Sequence, residues 1–220
     1  MQYTWRFDVV WRFLPYLVDG LKMTLLVTIA AMILGILAGL MAALMRLSKL
    51  APLRFLGAAY VDFFRSTPPM IQLIWIYYCL PIVLGIEVPA LISGAIALSV
   101  STGSFLAEIF RGGILSIEKG QREAAIALGM TSSQSMRRII LPQAIRRMIP
   151  PITNVFISTL KASSLVGTVA IADLMWQSNN LIMYTFRPLE ILTVTAAIYF
   201  LLTYPQVWIS NRIYERIRVR

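Results

Sequence analysis

Apolar residues come in long runs along this chain, and the polar stretches between them are short and rich in Lys and Arg. A membrane-crossing helix needs about 20 mainly apolar residues. Residues 21–44 meet that requirement without interruption. A second run, 53–84, is broken by Asp62, Arg65 and Pro68-Pro69. Residues 88–109 form a third, 149–176 a fourth after the Pro150-Pro151 break, and 189–209 a fifth. The pattern predicts an all-α integral membrane protein with five transmembrane helices. Residues 1–20 hold Trp5, Phe7, Trp11, Phe13 and Tyr16 among charges, which predicts a separate interfacial helix with an aromatic belt.

Five crossings put the termini on opposite sides, and basic residues select the cytoplasmic one. The stretches after runs one, three and five hold 14 of the 20 Lys and Arg, from Arg46, Lys49 and Arg54 to Arg212, Arg216, Arg218 and Arg220. The opposing loops hold Glu87 and Arg187. The N-terminus is therefore expected outside and the C-terminus inside. That distribution also explains the net charge of +10 and argues against a nucleic-acid partner; the lipid bilayer is the partner it fits. With hydrophobic residues at 58% and charged residues at 14%, a soluble fold would expose too much apolar surface. The chain has no His and a single Cys, Cys79, which removes His-based catalysis, His metal sites and any internal disulfide. No internal repeat or low-complexity linker divides it, so residues 1–220 read as one domain.

Within run one, Ala31, Gly35, Gly39 and Ala43 recur every fourth residue, a face that lets another backbone come close. The sequence does not say which helix that is.

The most polar long segment, about 110–148, is a cytoplasmic loop with internal order. Gln121–Leu128 favours a helix, Gly129 stands where a C-cap glycine belongs, and Thr131 with Gln134 is a capping-box pair opening a second helix. Leu141-Pro142 and Pro150-Pro151 punctuate the return to the membrane. A helix, a glycine turn and a second helix make a compact knob suited to a cleft on a soluble partner. A plain solvated basic loop is the alternative from spacing alone.

Charges inside apolar runs are functional suspects. Asp62 and Arg65 are one turn apart and can pair; Arg65 can equally meet a substrate carboxylate, its guanidinium being suited to bidentate contact. Asn154, Ser158, Lys161 and Thr168 share one helical face, which points either to a water-filled path or to a polar seam with Lys161 paired to Glu108 or Asp173. Ser101, Ser104 and Glu108 form a weaker stripe in run three.

Four segments together carry a family resemblance: LPYLVDGLKMTL from Leu14, FRSTPPMIQLIWIYYCLP at 64–81, FLAEIFRGGILSIEKGQREAA at 105–125, and LPQAIRRMIPPITNVFISTLKASSL at 141–165. From the end of the third to the start of the fourth the chain reads E-A-A, three residues, Gly, nine residues, I-x-L-P. The chain resembles a permease subunit of the polar amino-acid branch of binding-protein-dependent ABC importers, the histidine/glutamate/glutamine/arginine/opine group. The resemblance implies that 110–148 is a coupling loop, with Glu123, Ala124, Ala125 and Gly129 contacting the ATPase. In such a permease the charged and polar positions inside the runs, Arg65, Thr67, Asn154, Ser158 and Lys161, are the expected substrate path, and the resemblance itself goes further. It implies two ATP-binding subunits, a second permease subunit, identical or homologous, and an extracytoplasmic solute-binding protein, in a bacterial cytoplasmic membrane. ATP and Mg²⁺ would sit on the ATPase, with no cofactor, metal or catalytic residue here, since no G-x-x-x-x-G-K-[ST] loop is present.

Where many relatives read T-N-E-F, this chain has Thr153-Asn154-Val155-Phe156; where many read K-D-[ST]-S-L, it has Lys161-Ala162-Ser163-Ser164-Leu165. Two carboxylates are thus missing near the implied path, which favours a neutral, zwitterionic or acidic solute over a cationic one. An autonomous channel or secondary transporter for small polar solutes remains the alternative, and it leaves the knob without a task.

Overall fold

The computed structural model describes residues 3–218, so Arg220 of the basic C-terminal stretch and the first two residues of the expected N-terminal helix lie outside the described residues. Every regular element among the described residues is helical. In chain order these are α1 (Asp8–Leu47), α2 (Ala51–Ser66), α3 (Pro69–Ile74), a π turn (Trp75–Cys79) and α4 (Leu80–Leu84). There follow α5 (Ala90–Leu115), α6 (Lys119–Ala127), α7 (Ser132–Ser135) and a second π turn (Met136–Ile140). The chain ends with α8 (Leu141–Ala162), a 3-10 run (Ser163–Val169), α9 (Leu174–Thr185) and α10 (Pro188–Arg218).

Among the described residues three helices are long and apolar enough to cross a membrane alone: α1, α5 and residues Pro188–Ser210 of α10. Counting each of two bent pairs as one span makes five. One pair is Ala51–Ser66 with Pro69–Leu84, bent by 106°; the other is Ser132–Val169 with Leu174–Thr185, bent by 52°.

The expected separate N-terminal helix is not separate: α1 runs unbroken for 40 residues, about 60 Å at 1.5 Å per residue. Pro15 removes one helix bond without ending it. Gly20 marks a close approach and not a stop, since a Cβ there would stand 2.9 Å from the Asp173 carbonyl and the Leu174 Cα. The head of α1 buries Val10 and Leu17 against Leu174, Leu181 and Ile191. Before it, a short non-helical strap is tied to the α9–α10 corner. The fully buried Glu190 accepts from the Tyr3 hydroxyl and from the Arg6 N–H at 2.9 Å. Arg187 donates to the Thr4 carbonyl at 3.1 Å and lies 3.6 Å from Glu190.

The small-residue face of α1 meets α5. A Cβ on Gly39 would stand 2.8 Å from the Gly103 carbonyl and from Leu106 Cβ, and one on Gly35 would stand 3.0 Å from Thr102. Gly103 returns the approach: a Cβ there would lie 3.1 Å from the Gly35 carbonyl and 2.6 Å from the Tyr60 hydroxyl. Tyr60 donates to the Val100 carbonyl at 2.8 Å, which fastens α2 over the seam. Near the end of α1, Arg46 pairs with Glu108, which Arg111 also holds at 3.0 Å.

The two bends have local causes. Pro68 adopts ψ 134°, outside the helical range, and the Thr67 before it is extended, as a residue preceding proline prefers. Gln72 meets the backbone freed there: its amide donates to the Phe64 and Thr67 carbonyls at 2.9 Å each and to the Thr67 hydroxyl at 2.8 Å. At the second bend Asp173 caps α9, accepting from Trp176 N at 2.9 Å and Met175 N at 3.2 Å, so two orphan N–H groups are satisfied. The expected break at Pro150-Pro151 is absent, because α8 runs through both prolines. The helix bonds they cannot make belong to the carbonyls of Arg146 and Arg147, both exposed residues.

Candidate functional site

Two surfaces attract functional readings, the knob around Gly129 and the polar face of α8.

The knob has the turn that its sequence asks for. Gly129 has φ +77°, the left-handed region glycine enters without steric cost. Its N–H bonds the Ile126 carbonyl at 2.9 Å while the Met130 N–H bonds the Ala125 carbonyl at 3.0 Å. This reciprocal pair is a Schellman cap. Thr131 and Gln134 then close a complete capping box: Thr131 N–H donates to Gln134 Oε1 at 2.8 Å, and Gln134 N–H donates to Thr131 Oγ1 at 3.3 Å. Glu123, Ala124 and Gly129 are exposed. Ala125 is fully buried, so it supports the knob from beneath and is not part of its surface. Reading the sequence alone overlooks Leu128 and Ile126, which are 79% and 56% exposed. Ile126 sits in the Ala-rich α6 and Leu128 caps its end, and nothing in the sequence marks them as outward-facing.

Asn154, Ser158 and Lys161 are all exposed along one face of α8. Thr168 is also exposed, but it lies beyond the α-helix in the 3-10 run that begins at Ser163. Ser158 lines a cavity of about 290 Å³ shared with Pro69 of α3, Ser101, Thr102 and Phe105 of α5, and Thr159 of α8. Thr102 and Thr159 share a hydroxyl hydrogen bond of 2.9 Å. The volume suits a small solute, and no charged residue lines the cavity. Arg65 stands beside it, with its guanidinium carbon 5.3 Å over the Phe105 ring.

The ion pairs open to Arg65 and Lys161 in the sequence do not form among the described residues. Asp62 and Arg65 are both exposed and unpaired with each other. Glu108 is engaged by Arg46 and Arg111, and Asp173 by the start of α9, which leaves neither for Lys161. Thr67 has a local duty, since its hydroxyl donates to the Phe63 carbonyl at 2.9 Å and accepts from Gln72. It shapes the bend beside a second, nearly apolar cavity lined by Phe63, Phe64, Gln72 and Trp75. Of the weaker stripe, Ser101 and Ser104 are buried, and Ser104 donates to the Ser101 carbonyl at 2.6 Å. Gln72, Gln143 and Glu190 escape sequence reading, because their partners lie across bends that residue spacing does not reveal. Asp173 did carry a signal, an Asp directly before an apolar helical run.

Residues 35–219 match the family described as binding-protein-dependent transport system inner membrane component. The chain is 32% identical over 220 residues to the glutamine transport system permease protein GlnP of Escherichia coli, covering 100% of both. It is 40% identical over 197 residues to the glutamate/aspartate import permease protein GltK of Escherichia coli, covering 86% of this chain and 88% of that one. The crystal structure of an amino acid ABC transporter with histidines superposes with a TM-score of 0.90 at 36% identity, covering 97% of this chain and 100% of that one. With a family model over most of the chain, full-length relatives and a matching fold, the protein belongs to the family of inner membrane components of binding-protein-dependent transport systems.

Proposed function

We propose that this chain is the permease subunit of an ABC importer that carries a polar amino acid, or a close analogue, into the bacterial cytoplasm. The observation that carries this reading is similarity along the whole chain to permeases of glutamine and of glutamate/aspartate import. The N-terminus lies outside and the C-terminus inside, and residues 1–220 form one transmembrane domain whose 110–148 segment is the coupling loop. Glu123, Ala124 and Gly129, with the apolar Ile126 and Leu128, form the surface that docks on an ATPase subunit, and Ala125 holds that surface in shape.

The cycle is alternating access. ATP closes two ATPase subunits, each carrying one knob, and the paired permeases open outward. A loaded binding protein delivers the solute, and hydrolysis restores the inward-facing state. Each ligand acts by favouring one of two conformations. A second permease, identical or homologous, supplies the other half of the path and the other knob. Arg65 and Lys161, without carboxylate partners among the described residues, are available to a solute carboxylate, where a charge-assisted hydrogen bond is strong. Asn154 and Ser158 supply neutral hydrogen bonds on the same face, and Thr67 fixes the bend beside Arg65. The missing acidic groups at Val155 and Ala162 make a neutral, zwitterionic or acidic amino acid the fitting cargo.

The test is a pull-down of the chain in mild detergent from cells making its neighbours, with mass identification of what is retained. An ATPase subunit retained by the chain supports the reading. A chain that purifies alone contradicts it and favours an autonomous channel or carrier.

A further inference from the structure

The segment leaving the knob does not run regularly into α8. Met136–Ile140 is a π turn, in which the Leu141 N–H reaches back five residues to the Met136 carbonyl. The next residue explains it. Pro142 has no N–H, and its ring crowds the carbonyl four residues back, that of Arg138. Widening the turn by one residue moves that carbonyl aside. The same arrangement occurs a second time: in the π turn Trp75–Cys79 the Leu80 N–H bonds the Trp75 carbonyl, and Pro81 comes next. Each π turn thus precedes a Leu-Pro step. A π turn holds an extra residue and offsets the succeeding helix by about 100°. It also interrupts the regular helix ladder, and such interruptions are where helices bend.

The position of this turn is what gives it meaning. Before it stands the exposed knob, and after it stands the helix that bears Asn154, Ser158 and Lys161. One side chain bridges the two parts. The Gln143 amide donates to the Ile139 carbonyl, inside the turn, at 3.0 Å and to Gln121 Oε1, on α6, at 3.2 Å. Behind the turn, Met136 and Ile140 pack in a small core with Ile117, Ala144 and Met148. That core anchors the turn to the end of α5 on one side and leaves Arg137 and Leu141 exposed on the other. A displacement of α6 therefore reaches α8 by two routes: through the backbone of the π turn, and through the Gln121–Gln143 link.

We propose that Met136–Ile140 is a compliant joint between the knob and α8, and that Gln143 is the positioning residue that passes movement of α6 into α8. This rests on the importer reading, because it needs the knob to be moved by an ATPase. The turn absorbs the change of angle, while the Gln143 link makes the start of α8 move with α6.

The experiment uses the assembled importer, with its ATPase subunits and binding protein, in lipid nanodiscs and proteoliposomes. Spin labels at Lys119→Cys and Ile145→Cys, in a Cys79→Ser background, report the separation of α6 and α8 with and without ATP. The expected result is a distance that ATP leaves unchanged while the Gln121–Gln143 link holds, and that shifts with ATP in Gln143→Ala. Gln143→Ala is expected to keep the ATPase subunit bound and hydrolysing, yet to raise ATP consumed per solute imported about fivefold, the equivalent of one hydrogen bond. Gln143→Glu, unable to donate to the Ile139 carbonyl, should behave like Gln143→Ala. The Gln121→Ala/Gln143→Ala pair should be no worse than Gln143→Ala, because both act through one link. A label distance whose response to ATP is the same in Gln143→Ala as in the wild type, or unchanged ATP per solute in Gln143→Ala with the ATPase bound, overturns the joint alone. A chain that binds no ATPase subunit overturns the importer reading and the joint with it.

Discussion

The contact between α1 and α5 and the path from α6 to α9 are built in opposite ways. Along the first, small residues bring two backbones so close that a Cβ on Gly39 would stand 2.8 Å from the Gly103 carbonyl. Packing at that density transmits displacement without deforming. Along the second, the backbone departs from regular helix again and again. Gly129 is left-handed, Met136–Ile140 is a π turn, Pro150 and Pro151 interrupt the bonding of α8, Ser163–Val169 is a 3-10 run, and Ala170 has φ 59°. Rigidity is concentrated where two helices must keep one register. Departures from regular helix run from the turn at Gly129 through α8 and past it to the start of α9.

Five changes would break or sharpen this contrast. Gly39→Leu should have the largest effect, because a Cβ there would already stand 2.8 Å from the Gly103 carbonyl and Leu106 Cβ and 3.1 Å from the Ala107 N. Overpacking here is expected to cost about 3 kcal/mol, seen as a collapse of the melting temperature and yield in detergent. Gly129→Trp comes next. Open space surrounds its Cβ, but φ is +77°, so the strain falls on the backbone of the turn. The chain should insert and fold, ATP hydrolysis should continue, and coupled uptake should be lost; normal uptake would remove the docking assignment. Arg65→Ala and Lys161→Ala should leave assembly intact and lower uptake on the order of tenfold each, the loss of one charge-assisted contact. Unchanged uptake would return either residue to a structural role. Thr131→Ala should be mildest, costing about 1 kcal/mol through loss of an N-cap. Hydrogen exchange at the start of α7 should read it, with little change in the overall melting temperature.

The same contrast governs how much the sequence could reveal. The α1 face was legible because its period of four is local, while its partner was not, because nothing in Gly35 or Gly39 names Thr102 or Gly103. The knob's turn was legible down to Gly129, Thr131 and Gln134, since caps are made by neighbours in sequence. The burial of Ala125 was not, because it depends on what packs beneath. Pairing was read least well. Asp62 with Arg65 has the right spacing, yet the guanidinium goes to Phe105, and Glu108 is held by Arg46 from 62 residues away. The prolines show both sides of the matter. Pro68 bends the chain with Gln72 there to receive the freed carbonyls, whereas Pro150 and Pro151 do not break α8, since a helix end is decided by tertiary support as much as by the residue that weakens it.

The central claim is that solute movement through this chain is driven by ATP hydrolysed on a partner that grips the knob. Proteoliposomes containing the chain, its co-purified subunits and the binding protein test it directly, with labelled glutamine and glutamate outside and ATP inside. Uptake that needs both ATP and the binding protein, and that disappears in Gly129→Trp while hydrolysis persists, is the expected result. Uptake by the chain alone, indifferent to ATP, would contradict the account.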